Sequence, residues 1–543
     1  MAEAKPKPAL ALTPGKVAGQ KIVGLSERRT PELIIAFVGP VGAGVSKTST
    51  ILSGILKERF NYEPHYIRVS DIIADRADKL KKPISPAIPQ AERISQLQQL
   101  GTEFRMQWSK SYLAEKCVEN IAVWRAAKTG NEEEAGTVSP SPMRVVHLID
   151  SLKNPAEVEL LKEVYGDTFW LIGVFAPDNI RQNRLLNLGV AHSALPKIID
   201  TDEEAGVGYG QRVRETIHMA DFFIRNDGEN DVRLKSVVTR YLEILFDIGV
   251  HTPTQDEAAM YSAASSASGS ACLSRQVGAA IYSHSGELIG VGANDVPKKG
   301  GGLYTTEDGE EDHRCYKWGG KICHNDERKG MLYSAIQKVL EKEQLLVLNA
   351  ESSKVRNALA QTEVKDLIEY SRAVHAEMEA IISVARGNKH GIVGATMYVT
   401  TFPCHHCARH IIASGIDRVI YIEPYAKSLA LVLHSDAIST VRNDSKARVA
   451  FLQYEGVAPK NIIRLFKHGL ARKEGGKLLE RNPLLASPVF PAPLDGFQRR
   501  EDIIVKQIVA LETEAESDRE SGDGKEKAGG AAQLSLNAGK DSR

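Results

Sequence analysis

The chain has 543 residues, with Lys+Arg and Asp+Glu both at 69, 42% hydrophobic and 25% charged residues and six cysteines. Zero formal net charge gives no global positive field, which weighs against a protein that coats nucleic acid, and the composition excludes wholesale disorder. Six cysteines are too few for a disulfide scaffold at this length and read as a reduced, intracellular set, some of them metal ligands, while roughly 150 residues per domain predicts about two to four domains.

Residues 1–29 carry Pro6, Pro8 and Pro14 and lack the apolar core of a secretory signal, so they read as a flexible extension. No window of about 18 apolar residues occurs, so the expected location is cytoplasmic, away from any membrane. Residues 30–250 alternate strand-like and helix-like segments: the apolar runs Leu33–Val38, Val145–Ile149 and Trp170–Phe175 read as buried parallel strands, with a helix from Pro155 to Val164 between the last two. This predicts a parallel-sheet α/β domain. Thr129–Pro142 reads as an inserted loop, and a helix around Val232–Phe246 precedes a break at Thr252-Pro253.

Residues 255–480 form the second predicted domain, of α/β/α type: an Ala/Ser-rich helix from Asp256 to Ser268, a hairpin of Val277–Tyr282 and Leu288–Gly292, and a polar insertion from Lys298 to Lys329. Helix, strand, helix and strand then run to Glu423. Residues 481–511 comprise a Pro-rich stretch and one amphipathic helix, Arg500–Leu511, and 512–543 read as a disordered tail.

The chemistry concentrates in two short segments. His375-Ala-Glu377 opens a helical stretch, and Pro403-Cys404-His405-His406-Cys407 opens another after an intervening strand. Cys404 and Cys407, three apart at a helix start, point to one place, where the helix dipole favours thiolates. With His375 they make three protein ligands for Zn2+ and leave a fourth position to water, the stoichiometry of catalytic rather than structural zinc. Glu377 is the carboxylate beside them, placed to act as general acid and base. A closed zinc knuckle completed by His405, His406 or His410 is the competing reading, and it leaves Glu377 without a role. The pattern His-x-Glu … Pro-Cys-x-x-Cys is the signature of zinc deaminases.

Over about residues 257–470 the sequence resembles the deoxycytidylate/cytidine deaminase superfamily, a likeness extended by Arg275-Gln-Val-Gly-Ala279 and Gly292-Ala-Asn294-Asp-Val-Pro297. The resemblance implies that Asn294 contacts the nucleotide sugar and that Arg275, with Lys298 and Lys299, lies near the phosphate. His313, Cys315, Cys323 and His324 are candidates for a second zinc, with a substrate-capping loop as the alternative. Cys117 and Cys272 read as buried small hydrophobes.

Gly39-Pro-Val-Gly42-Ala-Gly44-Val-Ser46-Lys47-Thr48 follows a buried strand and precedes a helix, the context of a phosphate-cradling loop. The pattern is imperfect: counted from Gly39, the lysine arrives two residues late. Asp150 ends a strand where an acid would hold magnesium. Arg181 and Arg184 resemble the lid arginines of P-loop nucleotide kinases, which implies a kinase-like domain with ATP, GTP or another nucleotide plus Mg2+ at the loop.

Together the halves resemble the bacterial anti-phage dCTP deaminases, over most of residues 30–470. The resemblance implies conversion of dCTP and dCMP to dUTP and dUMP, draining the dCTP pool during infection, with a repressor RNA or other regulatory partner and a homo-oligomeric state. Two other readings stay open: an RNA or single-stranded DNA base deaminase, and a P-loop nucleotide kinase or switch whose zinc domain only binds nucleotide.

Overall fold

The computed structural model describes residues 29–85, 88–129, 143–203, 208–228, 231–346, 351–388, 391–425, 428–442, 448–467 and 471–520. The N-terminal extension up to 28, the expected loop over 130–142 and the tail beyond 520 lie outside them.

The first half folds around five parallel strands: β1 (Leu33–Val38), β2 (Glu63–Arg68), β3 (Val145–Leu152), β4 (Phe169–Phe175) and β5 (Phe222–Arg225), in the spatial order β5-β4-β1-β3-β2. Every residue of β1 is buried, as its unbroken apolar run requires of a central strand covered on both faces. The covering helices are α1 (Val45–Phe60), α2 (Gln90–Gln107), α3 (Tyr112–Thr129), α4 (Pro155–Tyr165), α5 (Asp178–Asn187) and α6 (Asp231–Leu245). A capping box at Asn154 and Glu157 sets the start of α4. The strand order reverses at β1, so the loop after it, residues 39–44, opens at a topological switch point, where open parallel sheets bind ligands.

The second half begins with α7 (Gln255–Ala267), capped by a reciprocal Thr254–Glu257 box. Its sheet contains β6 (Gly278–Tyr282), β7 (Leu288–Ala293), β8 (Thr396–Thr401), β9 (Arg418–Glu423), β10 (Ile438–Ser439) and β11 (Val449–Gln453), ordered β10-β11-β9-β8-β6-β7. The β6–β7 hairpin is antiparallel and so is β6 to β8; the remaining pairs are parallel. Helix α8 (His324–Lys342) rises from the polar insertion, and α9 (Ala376–Arg386) and α10 (His405–Ala413) cover one sheet face. Among the described residues no helix is long and apolar enough to cross a membrane.

Three connections differ from the sequence expectation. The two-residue strand β12 (Gly456–Val457) leaves the second domain and pairs antiparallel with β5, Gly456 opposite Phe223, so part of the segment expected over 255–480 completes the first sheet. Arg29–Thr30 pairs with Ala492–Pro493, tying the start of the described chain to the segment just before the C-terminal helix. The C-terminal helix α11 runs over Leu494–Glu520, well beyond the expected Arg500–Leu511 and into the segment read as tail. Leu494, Phe497 and Ile508 of this helix are buried in the core, and its further anchors are ionic. Arg125 donates to Glu32 at 2.9 Å and to Glu501, and all three side chains are buried. Glu512 receives Lys116, Lys79 and Tyr112 at 2.7, 2.9 and 2.7 Å. Apolar periodicity carries no signal for contacts of this kind. The core is continuous across the halves: Ala259, Met260 and Ala263 of α7 pack with Phe223 and Tyr454 in one cluster with the first domain.

Candidate functional site

The site is built on a helix pressed against a strand. A β-carbon on Gly292 of β7 would lie 2.2 Å from the Ala376 carbonyl and 2.4 Å from the Ala380 nitrogen, so only glycine lets α9 approach this closely. That approach sets the start of α9, where His375 is the N-cap and Glu377 lies in the first turn. From the adjoining parallel layer, Cys404 caps α10 and accepts the Cys407 N–H at 3.5 Å, turning both sulfurs inward.

His375 Nδ1 lies 3.4 Å from Cys404 Sγ and 3.3 Å from Cys407 Sγ, and all three donor atoms fall within 4.8 Å of one another. Zn–S bonds near 2.3 Å and Zn–N bonds near 2.0–2.1 Å at tetrahedral angles place donors about 3.5 Å apart, so one imidazole and two sulfurs in this arrangement fit zinc. The donors are electrostatically coupled. The contact with Cys407, and then that with His375, holds the Cys404 thiol well below its usual value, at about 4, while the same contact pushes Cys407 up. His375 is raised by its hydrogen bond with Cys404. Glu377 is 4% exposed, and burial raises its carboxyl.

His375, Glu377 and Cys404 line a cavity of about 210 Å3. Its wall includes Asn294, Val296, Phe402 and Tyr425, and its basic groups are Arg275 and Arg372. Asn294 lies at the cavity but is already engaged: its Oδ1 accepts the Val277 N–H at 2.6 Å and its Nδ2 donates to the Arg275 carbonyl at 2.7 Å. This leaves one N–H and one lone pair for a ligand and makes Asn294 a clamp on the segment bearing Arg275. Arg275 is half-exposed and paired with Glu423. Lys298 is not among the lining residues; it binds Asp308 at 2.8 and 3.0 Å, which stabilises its own loop, and Lys299 is exposed. Sequence reasoning missed Arg372, whose guanidinium lies 4.3 Å over the Trp318 ring and donates to the His313 carbonyl at 3.0 Å. It lies in a loop between elements, where spacing has nothing to report.

His313, Cys315, Cys323 and His324 do not assemble a second metal set: among the described residues no three of them bring ligand atoms within 4.8 Å. His313 meets the Tyr304 hydroxyl at 3.3 Å, His324 meets Glu327 at 3.4 Å, and Cys323 lies 3.5 Å from Ser274 Oγ. Cys315, Cys323 and His324 instead line the cavity. Cys117 is fully buried, whereas Cys272 is half-buried and lines the cavity, a correction to its reading as core.

In the first domain Gly44 caps α1 with φ 84, Val45 opens the helix, and Ser46 Oγ donates to Asp150 Oδ2 at 2.7 Å. Gly39, Gly42 and Gly44 belong to the loop between β1 and α1, and Val45, which directly follows Gly44, is buried. Lys47 points away and pairs with Asp231, and Thr48 folds back to the Gly44 carbonyl at 3.1 Å. Arg184 braces the loop through the Gly42 and Ala43 carbonyls at 3.0 and 3.1 Å, and Arg181 through Val41 at 3.1 Å.

Residues 253–423 match the family described as the cytidine and deoxycytidylate deaminase zinc-binding region. The deoxycytidylate deaminase of Enterobacteria phage T4 is 51% identical over 55 residues, covering 10% of this chain and 28% of the phage protein. ComE operon protein 2 of Bacillus subtilis (strain 168) is 42% identical over 131 residues, 22% of this chain and 66% of that protein. The matched segment thus spans under a third of the T2 and T4 phage deaminases. Among solved structures, the dCMP deaminase from the cyanophage S-TIM5 in complex with dCMP and dUMP is 17% identical, with a TM-score of 0.22, over 38% of this chain and 99% of that one. The second half of the chain carries a zinc-binding domain of the cytidine and deoxycytidylate deaminase type, built on His375, Cys404 and Cys407.

Proposed function

We propose that the chain is a hydrolytic deaminase converting dCTP or dCMP to dUTP or dUMP and ammonia. The observation that carries this reading is Glu377, a nearly fully buried carboxyl beside the gathered His375, Cys404 and Cys407 donors, lining a cavity that Arg275 and Arg372 also line. Zinc, when bound by those three residues, supplies the Lewis acidity that makes water a nucleophile at neutral pH. Glu377 takes a proton from the attacking water, passes it to the ring nitrogen N3, and then carries the second proton to the departing amine. Water adds at C4 and the C4–N bond breaks, so atoms balance as one water in and one ammonia out. Burial of Glu377 raises its carboxyl above the usual range, the direction that favours a group that must both take and give a proton. Arg275 and Arg372 are the groups for the phosphates, and Asn294 holds the Arg275 segment while offering its remaining N–H to the sugar.

In this reading the first domain is a P-loop kinase-like module with a regulatory role. Ser46 and Asp150 would hold Mg2+ with a nucleotide, and Val45 at the lysine position argues against phosphoryl transfer. The deaminase would work in the cytoplasm as a homo-oligomer, draining dCTP as anti-phage defence and held silent by an RNA or another partner. The resemblance of residues 30–470 to anti-phage dCTP deaminases supports this role. Purified zinc-loaded chain incubated separately with dCTP, dCMP and a cytosine-containing oligonucleotide tests the substrate class. Ammonia release with a free nucleotide is expected; release with the oligonucleotide alone refutes the proposal.

A further inference from the structure

A second cavity, of about 280 Å3, lies at the seam between the two domains. The first domain contributes Pro40 of the glycine-rich loop and the guanidinium groups of Arg181, Arg214 and Arg225. The second contributes aromatic rings, Phe402, Tyr421 and Phe451, with Ser428, Thr440 and Gln453 as polar edges. Phe402 stands edge-on to Tyr421 with centroids 4.9 Å apart and packs on Phe451 at 5.5 Å.

The charged end of the cavity is held by exchangeable partners. Arg181 places both terminal nitrogens 3.0 Å from Glu203 Oε1, and Arg214 binds the other oxygen of the same carboxylate. Arg181 also meets Asp178 at 3.1 Å, and Arg225 is tied to Asp227 at 3.1 Å. Three guanidinium groups thus face two lining carboxylates, Asp178 and Glu203, and Glu203 alone is shared by two arginines. A phosphate has the geometry to replace Glu203 between Arg181 and Arg214, because guanidinium forks bind phosphate and carboxylate alike. Aromatic rings and an arginine pair sharing one carboxylate in a single lining describe a ligand with a flat aromatic base and one phosphate, and about 280 Å3 lies near the lower end of small-ligand pockets.

The seam also shares a wall with the catalytic cavity, since Phe402 and Tyr425 line both. Phe402 directly precedes Pro403-Cys404, the segment that presents two of the zinc donors. We propose that the interdomain cavity is a binding site for a nucleoside monophosphate, and that its occupancy is transmitted to the catalytic cavity through Phe402 and Tyr425. The binding claim is independent of the deaminase reading; only the rate readout rests on it.

The test uses zinc-loaded full chain in magnesium-free buffer, so that Ser46 and Asp150 have no cation to hold, titrated calorimetrically with AMP, GMP, CMP and UMP in turn. At least one is expected to bind one-to-one with a submillimolar Kd. Arg214→Glu, and the milder Arg214→Gln should the first not fold, is expected to weaken that binding at least tenfold with zinc content unchanged. No binding by any of the four, or binding indifferent to both Arg214 variants, overturns the site. The nucleotide that binds is further expected to change kcat or KM for dCMP at least twofold in the wild type and not in Arg214→Gln; a rate unaffected by saturating nucleotide overturns the transmission. Binding without any deamination keeps the site and contradicts the proposed activity instead.

Discussion

Ser46 Oγ donates a 2.7 Å hydrogen bond to Asp150 Oδ2, joining the first turn of α1 to the end of β3. This contact sets the register of the glycine-rich loop. Counted from Gly39, the four intervening residues lead to Gly44, then Val45, then Ser46; in the proposed nucleotide-binding reading the hydroxyl and the acid would hold magnesium, and the lysine is missing. Burial raises the Asp150 carboxyl, and the hydrogen bond from Ser46 opposes that rise.

Restoring the lysine should therefore restore phosphate affinity. Val45→Lys is expected to tighten Mg-ATP binding at least tenfold by calorimetry, and Asp150→Ala to remove the magnesium dependence of whatever binding is present. An unchanged affinity in Val45→Lys would show that the loop does not cradle phosphates.

Metal content distinguishes one zinc from two. The His375, Cys404 and Cys407 donors are gathered, and His313, Cys315, Cys323 and His324 are not. Elemental analysis is expected to find one zinc per chain, lost in Cys404→Ala and kept in the Cys315→Ala, Cys323→Ala double variant. Chelation should abolish deamination, and added zinc should restore it.

Gly292→Ala tests how the site is positioned. The added methyl would meet the backbone of Ala376 and Ala380, which cannot yield without moving the start of α9. Overpacking of this kind costs about 1–3 kcal/mol. The variant is expected to fold with a lowered Tm and to lose at least tenfold in kcat, because His375 and Glu377 shift together.

The C-terminal helix predicts a pH dependence. Glu512 is desolvated, which raises its carboxyl, but hydrogen bonds from Lys116, Tyr112 and Lys79 overcome this and hold it down to about 2 from an ordinary 4.5. A carboxyl depressed in the folded state stabilises above its unfolded value, and the contribution disappears as pH falls from about 4.5 towards about 2. Glu512→Gln is expected to cost about 2 kcal/mol in urea unfolding at pH 7, with the gap closing in acid. A gap constant down to the lower limit would show that the ion pairs are not the cause.

Much of this organisation was readable from residues alone. Leu33–Val38 has the bounds its apolar run implies, and His375, Glu377, Cys404 and Cys407 announce themselves by spacing. What the sequence hid has physical reasons. Glu63–Arg68, an edge strand reading EPHYIR, has one fully buried residue and so lacks an apolar run. Gly456–Val457 joins the first sheet by a backbone pairing across more than two hundred residues, which no local pattern encodes. Helix α11 continues past Leu511 because ionic partners hold Glu512, and Arg372 takes its place at the cavity through a loop and a Trp318 ring. Lys298 had the right charge and the wrong partner, Asp308.

In the proposed deamination Glu377 moves protons at the His375, Cys404 and Cys407 site. This role is tested by mass-spectrometric measurement of uracil nucleotide formed from dCTP and dCMP by wild type and by Glu377→Gln, both at full zinc occupancy. Product with matching ammonia is expected in the wild type, and a loss of at least a thousandfold in Glu377→Gln with zinc retained. Uracil nucleotide formed at comparable rates by the two proteins would contradict it.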